Sequence, residues 1–307
     1  MRVSTPCILA VFALACTHPY LQAQSLLSAE DSEVSATSTQ NGPAGIVPYV
    51  RGLNFSLGTT SQHDSSDGWS SVLSPDLAFR FNSHFSVDAS APIYDYIKIL
   101  ANKGTKAKPV YVATTKHFAA GDTALNAHLQ FDSPVLGYEL SSTLGLPSGN
   151  TNYGLGAGQV TYSFNNHLEH SFDFITPDLE LGIGDSSSLQ GTRVRKSYVS
   201  VGTLAYFQAG ASFDLPHHAT FSANAYEELP VTAQTLYSTT GKGKKKVTTA
   251  TTKSVGEDNG FQSSLDIPLQ PHVTLSGFYN RSLRGHIDTA GFSLTFLLKA
   301  PPANVVR

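Results

Sequence analysis

The chain has 307 residues, a formal net charge of −3 and a pI of about 6.4. Only 14% of residues are charged, against about 25% in soluble domains, while 36 Ser and 28 Thr supply hydroxyls instead. Thirteen Tyr and 17 Phe argue against disorder. The balance is not basic, as wholesale nucleic-acid binding would favour. No run of roughly 20 apolar residues offers a membrane helix, and the composition is not that of a coiled coil.

The first 23 residues read as a secretory signal. Arg2 is followed by a nine-residue apolar run from Ile8 to Cys16, too short to span a bilayer, and Leu21-Gln22-Ala23 offers a cleavage site. Lipidation at Cys16 is the alternative, against which stands the absence of Leu three positions upstream. Both cysteines, Cys7 and Cys16, fall inside this segment, so a processed chain has no disulfide or thiolate. Residues 24–46 are polar and are expected to form a flexible segment.

From Val47 onward the dominant period is two. Leu53, Phe55 and Leu57 alternate with polar or small residues, as do Leu77, Phe79 and Phe81, then Leu125, Leu129 and Phe131, and finally Phe292, Leu294, Phe296 and Leu298. This is the strand pattern with one apolar and one polar face. Twelve segments follow in order: 47–59, 69–82, 84–94, 121–132, 135–146, 158–165, 171–184, 197–214, 219–236, 259–268, 272–281 and 287–298. Nearly all reach the 9–11 residues or so that a tilted strand needs to cross a membrane. The connections alternate. Long ones at 60–68, 95–120, 147–157, 185–196, 237–258 and 282–286 interleave with short ones at Ser83, Ser133-Pro134, Asn166-His167, Pro216-His217 and Pro268 to Pro271. Short turns on one side, long loops on the other and an even strand count predict an all-β fold. That fold is a single closed antiparallel transmembrane β-barrel over residues 47–298, followed by a tail at 299–307. The rival architecture, a secreted β-sandwich, has shorter strands and edges to protect.

The polar faces are mostly uncharged. Asp76, Arg80, Asp88, Asn126, His128, Glu139 and Asp266 fall on them and are the candidate lumen and solute-contacting residues. They read either as a charged filter or as mutually paired wall residues. Gly137, Gly145, Gly202 and Gly210 are expected to relieve crowding at bends. The sparse charge predicts a wet lumen of weak ion selectivity, and twelve strands predict a narrow one.

Gly121-Asp122 opens one strand, Leu144-Gly145-Leu146-Pro147-Ser148-Gly149-Asn150 closes the next, and Tyr153-Gly154-Leu155-Gly156 follows. Later come Tyr206, Ser264-Leu265-Asp266-Ile267, Gly277-Phe278-Tyr279 and Gly291-Phe292-Ser293-Leu294. In this order the motifs, from about Val72 to Leu298, resemble the outer-membrane transporter-like family named for the meta-pathway of phenol degradation. The resemblance implies a barrel in the cell outer membrane that passes small, often hydrophobic or aromatic, compounds. The lysine-bearing loop 237–258 and the tail after Leu298 depart from that pattern. Because of the tail, Phe296 would present the final-strand assembly signal from an internal position.

Other chemistry is weaker. His63 and Ser65 share a strand face and resemble the His-x-Ser start of outer-membrane phospholipases, but Ser66-Asp67-Gly68 replaces Asn-Gly. Asp64 and Asp67 lack a full set of calcium-ligand spacings, and no metal or cofactor motif is present. His217-His218 reads as a solvated turn. Lys242, Lys244, Lys245 and Lys246, and separately Lys103, Lys106 and Lys108, read as soluble loops or as attractors of anionic headgroups. The expected function is passive diffusion of small solutes, without catalysis or energy coupling. A hydrolase or a structural or adhesive barrel stands as the alternative. The expected partners are outer-membrane lipid, lipopolysaccharide, the barrel-assembly machinery and a small-molecule solute, not nucleic acid.

Overall fold

The computed structural model describes residues 52–65, 68–102, 111–133, 135–150, 155–186, 198–200, 202–240, 247–253 and 256–298. The expected signal segment, the polar stretch 24–46, the C-terminal tail and both lysine clusters lie outside the described residues.

Alternation of apolar and polar side chains produces twelve wall strands. They are β1 (Gly52–Asp64), β2 (Gly68–Arg80), β3 (Phe85–Ser90), β7 (Thr123–Asp132), β8 (Leu136–Leu146), β9 (Thr161–His170), β10 (Ile175–Asp185), β12 (Thr203–Asp214), β13 (Thr220–Pro230), β16 (Asp258–Gln270), β17 (Val273–Ser282) and β18 (Ile287–Leu297). Each pairs antiparallel with its sequence neighbour in the wall, and β1 pairs with both β2 and β18, which closes the ring. Closure leaves no wall edge unpaired.

Six further strands rise beyond the wall. β4 (Ile93–Asn102), β5 (Tyr111–Lys116) and the two-residue β6 (Ala119–Ala120) stand above β3. β2 pairs with β3 over Asp76–Arg80 and with β4 over Ser70–Leu73, so β4 continues the wall after a break at Ala91-Pro92. β11 (Tyr198–Ser200), β14 (Gln234–Thr240) and β15 (Val247–Lys253) form a separate three-stranded sheet. The expected loops at 95–120 and 237–258 are therefore largely β-structure. The expected segments 197–214 and 219–236 each divide into a wall strand and an outer one.

Two expected connections are corrected. The pairing Asp64↔Gly68 leaves only residues 65–67 between β1 and β2, so 60–68 is not a long loop. Ser61, Gln62, His63 and Asp64 are polar on both faces, which hides the top of β1 from any test of alternation. Asn166-His167 is not a turn but lies inside β9; the chain reverses at 171–174, where Phe172 bridges Ile175.

The inner turns are closed by local side chains. Asn82 Oδ1 accepts the amides of His84 and Phe85, each at 2.8 Å. Ser133 Oγ accepts the amide of Leu136 at 2.9 Å. His217 and His218, both exposed, take left-handed φ of 65° and 61° in the turn after β12.

Register fixes the two faces without contradiction around the ring. Leu53, Leu77, Phe79, Leu125, Leu144, Phe164, Ile183, Phe207, Phe261 and Phe292 face outward and are exposed. Phe79 meets Phe81 edge-on and Phe81 stacks on Phe85, while His84, Phe131 and Tyr138 stack in series, forming part of an aromatic girdle near the inner turns. An apolar belt bordered by aromatics is the outer surface of a membrane barrel. Among the described residues no helix is long and apolar enough to cross a membrane.

Candidate functional site

The opposite face lines the lumen. The register Asp76↔Ser90, Ala78↔Asp88, Arg80↔Ser86 places Asp76, Arg80 and Asp88 on that face. Asp88↔Asn126, Ser86↔His128 and Gln130↔Glu139 carry it to Asn126, His128 and Glu139. Thr220↔Asp266 carries it to Asp266 across the barrel. All seven sequence candidates are thus inward-facing.

Five of them form one network. His128 Nε2 lies 2.8 Å from Asp88 Oδ2 and its Nδ1 lies 2.8 Å from Glu139 Oε1. Only a ring that carries both protons donates to both acids. Asn126 Nδ2 donates to Asp88 Oδ1 at 2.7 Å, and Thr143 Oγ1 donates to Asn126 Oδ1 at 2.8 Å. Asp76 faces Asp88 and accepts Ser56 Oγ at 3.4 Å. Arg80 stands below, within Coulombic range of Asp132. Asp266 is apart, accepting Ser276 Oγ at 2.5 Å.

The lumen also holds charge that the sequence reading missed. His167, Glu169, Asp178 and Glu180 face inward from β9 and β10 through the pairs Glu139↔His167, Asp178↔Glu169 and Glu180↔His167. His167 Nε2 lies 3.6 Å from Glu169 Oε2. Glu228 and Asp258 face inward near the top of β13 and β16, where Asp258 accepts Ser282 Oγ at 2.6 Å and Tyr226 Oη at 3.1 Å. The lumen is therefore more acidic than expected. The signal was present in the alternation Ser163, Asn165, His167, Glu169, but Asn166 interrupts the outward row of Tyr162, Phe164 and Leu168. Tyr138 on the neighbouring strand donates its hydroxyl to Asn166 Oδ1 at 3.0 Å, which makes the outward amide tolerable.

Side chains fill much of the interior. Gln208, Glu180, Ser264 and Ser276 are each 1% exposed. Gln208 Oε1 accepts Tyr206 Oη and, at 2.7 Å, Gln262 Nε2. Gly137 and Gly210 sit under neighbours rather than at bends. A Cβ at Gly137 would stand 2.6 Å from Glu169 Oε1, and one at Gly210 2.0 Å from Asn224 Oδ1. The expectation of glycines at bends holds only for Gly202, at φ +79° in the connection before β12.

The outer mouth has a different chemistry. Val72, Tyr94, Ile97, Ile99, Ala119 and Leu155 form one buried apolar cluster where β4 leans on β2. The connection after β8 is held there by Asp122, whose carboxylate accepts the amides of Gly149 and Ala157, each at 2.7 Å. Ser148 Oγ accepts the Thr123 amide at 2.8 Å. A Cβ at Gly149 would stand 2.1 Å from the Leu155 carbonyl oxygen. The Gly-Asp and Gly-rich motifs thus meet in one loop anchor. Burial holds the Asp122 carboxyl above the usual carboxylate range, although the two amides pull it down.

His63 and Ser65 do not assemble a nucleophile. The His63 ring packs edge-on against Trp69, with centroids 5.3 Å apart, while Ser65 Oγ accepts the Asp288 amide at 3.0 Å. Among the described residues no group of three His, Cys, Asp or Glu side chains is placed to hold a metal ion.

No family model matches the chain. No curated protein matches it in sequence. Among solved structures, the COG4313 outer membrane channel from Pseudomonas putida F1 matches at a TM-score of 0.55 and 12% identity, over 84% of this chain and 100% of that one. A KdgM porin matches at 0.46 and 8%, over 78% and 98%. The CymD monoaromatic hydrocarbon channel matches at 0.38 and 9%, over 83% and 90%. At these identities the first likeness concerns the fold, which is that of an outer-membrane β-barrel.

Proposed function

We propose that the protein is a non-enzymatic channel of the cell outer membrane, through which small molecules diffuse along the barrel axis. The observation that carries this reading is the sorting of side chains by register across the membrane band. Apolar residues stand outward on all twelve strands and most amides and carboxylates stand inward; exceptions include Asn166, held by Tyr138, and Glu227, Arg281 and Asp288 toward the outer ends of β13, β17 and β18. A membrane on one side and hydrated solute on the other accounts for both faces. The resemblance to the meta-pathway family extends the reading to hydrophobic or aromatic solutes, and the apolar cluster at the mouth is compatible with a solute that has an apolar part. Residues 1–23 fit an export signal, and outer-membrane lipid, lipopolysaccharide and the barrel-assembly machinery are the surroundings such a barrel requires.

Reconstitution tests the reading. Purified protein in planar bilayers should give discrete conductance steps in KCl, and liposomes that contain it should swell in small neutral solutes. A barrel that inserts yet passes neither ions nor solutes would instead be a structural or adhesive element.

A further inference from the structure

Several lumen carboxylates accept hydrogen bonds from neighbours, while Asp76 and Asp178 each keep one buried oxygen without a partner among the described residues. Asp88 is held by Asn126 and His128, Glu139 by His128, Asp258 by Ser282 and Tyr226, and Asp266 by Ser276. Glu180 differs. It points inward from β10 and is 1% exposed, yet neither of its carboxylate oxygens accepts a hydrogen bond from the described protein. Asp178 and Glu139 add charge of the same sign within Coulombic range, and His167 is the cation-capable group that faces them. The His167 Nε2 is directed to Glu169 at 3.6 Å rather than to Glu180.

A buried carboxylate without donors is costly, and a ligand that brings positive charge and N–H groups relieves that cost. The acids are not grouped for a metal ion. An alkylammonium group suits them better, because its three donors reach separate acceptors at about 2.7–2.9 Å each.

We propose that Glu180, with Asp178 two residues away on the same strand face and His167 and Gln208 opposite it on β9 and β12, is a subsite for the ammonium group of an organic amine inside the lumen, so that the channel admits cationic amines in preference to anions. The proposal deepens the channel reading and rests on it. It assigns the solute a charged head, which Glu180 binds, and leaves the remainder to the polar wall formed by Gln208, Gln262 and Ser276.

The test uses full-length protein in planar bilayers with a KCl gradient, and 1,4-diaminobutane as the probe. The reversal potential should show cation preference. The diamine should block the potassium current in a dose-dependent way, while the uncharged 1,4-butanediol should not. Glu180→Gln should raise the half-blocking concentration about tenfold or more, the scale of one hydrogen bond to a charged group. Glu180→Asp should retain most of the block. Asp178→Asn provides a second variant should Glu180→Gln fail to insert, and it should weaken the block in the same direction. Anion preference, or equal diamine block in wild type and in both neutral variants, overturns the proposal while leaving a conducting channel. That result would mean Glu180 merely takes up a proton. A wild-type barrel that never conducts overturns the channel reading and this proposal together.

Discussion

The carboxylate of Asp122 accepts the backbone amide of Ala157 at 2.7 Å, 35 residues further along the chain. Its second oxygen takes the Gly149 amide at the same distance, so one side chain ties the connection after β8 to the start of β7. Asp122→Ala would leave two amides without an acceptor, at about 1–3 kcal/mol for each that stays buried. The expected outcome is faster hydrogen exchange at 147–157 while wall strands such as β16 and β17 stay protected. Equal protection in the variant would show that the apolar contacts of Leu155 suffice.

The same carboxylate gives a pH dependence with a defined sign. Its folded pKa lies above the ordinary 3.8, with burial as the leading cause. Its contribution to loop docking is therefore fully present below the unfolded pKa and is lost as pH rises through the folded one. Exchange at 147–157, corrected for the intrinsic rate, should show stronger protection at the acid end of that window. Asp122→Asn, which cannot titrate, should flatten the profile.

His128→Ala would leave Asp88 and Glu139 facing each other without the ring between them. Breaking a buried ion pair costs about 3–5 kcal/mol. The His128 side chain is 29% exposed, so the low end of that range is expected. A lower temperature for the loss of the compact, faster-migrating form on a gel would report it. His128→Gln should recover part, since its amide can donate to one acid.

Leu125 and Asn126 are adjacent in sequence and opposite in environment. Arg at position 125 would enter lipid, at about 2–4 kcal/mol near the midplane and less toward the interface. Arg at Ser141, which faces the lumen opposite His128, should cost less stability and instead reduce conductance. Unfolding midpoints in lipid vesicles and single-channel currents measure the two effects separately. If both substitutions destabilise equally, the assignment of faces fails.

Much of the wall was legible because lipid enforces an apolar residue at every second position. Leu125, Leu129 and Phe131 announce β7 without any knowledge of its neighbours. The signal fails where a strand leaves the lipid. At Ser61 to Asp64 both faces are wet, so polarity no longer distinguishes strand from loop. It fails again at Asn166, where a cross-strand hydroxyl from Tyr138 stands in for an apolar neighbour. The seven lumen candidates could be picked out because an alternating segment reveals its own inward side. Glu180 stands in an alternating segment too, at 171–184, but its significance depends on which donors reach it. That is set by strands about 10 to 90 residues away, β8 and β9 on one side and β12 and β16 on the other, and local pattern does not carry it.

The ring closes with its inward and outward faces in step all the way from β1 back to β1. Adding one residue to the middle of any wall strand would turn the remainder of that strand inside out, exposing Glu or Asn to lipid and Leu or Phe to water. A bulge at the insertion would be the sole local escape. The wall of this protein can therefore lengthen or shorten only in steps of two, and single-residue length variation among its relatives should collect in the outer connections. Those connections, with the Asp122 anchor, are the part of the molecule free to change what enters without disturbing the membrane wall beneath.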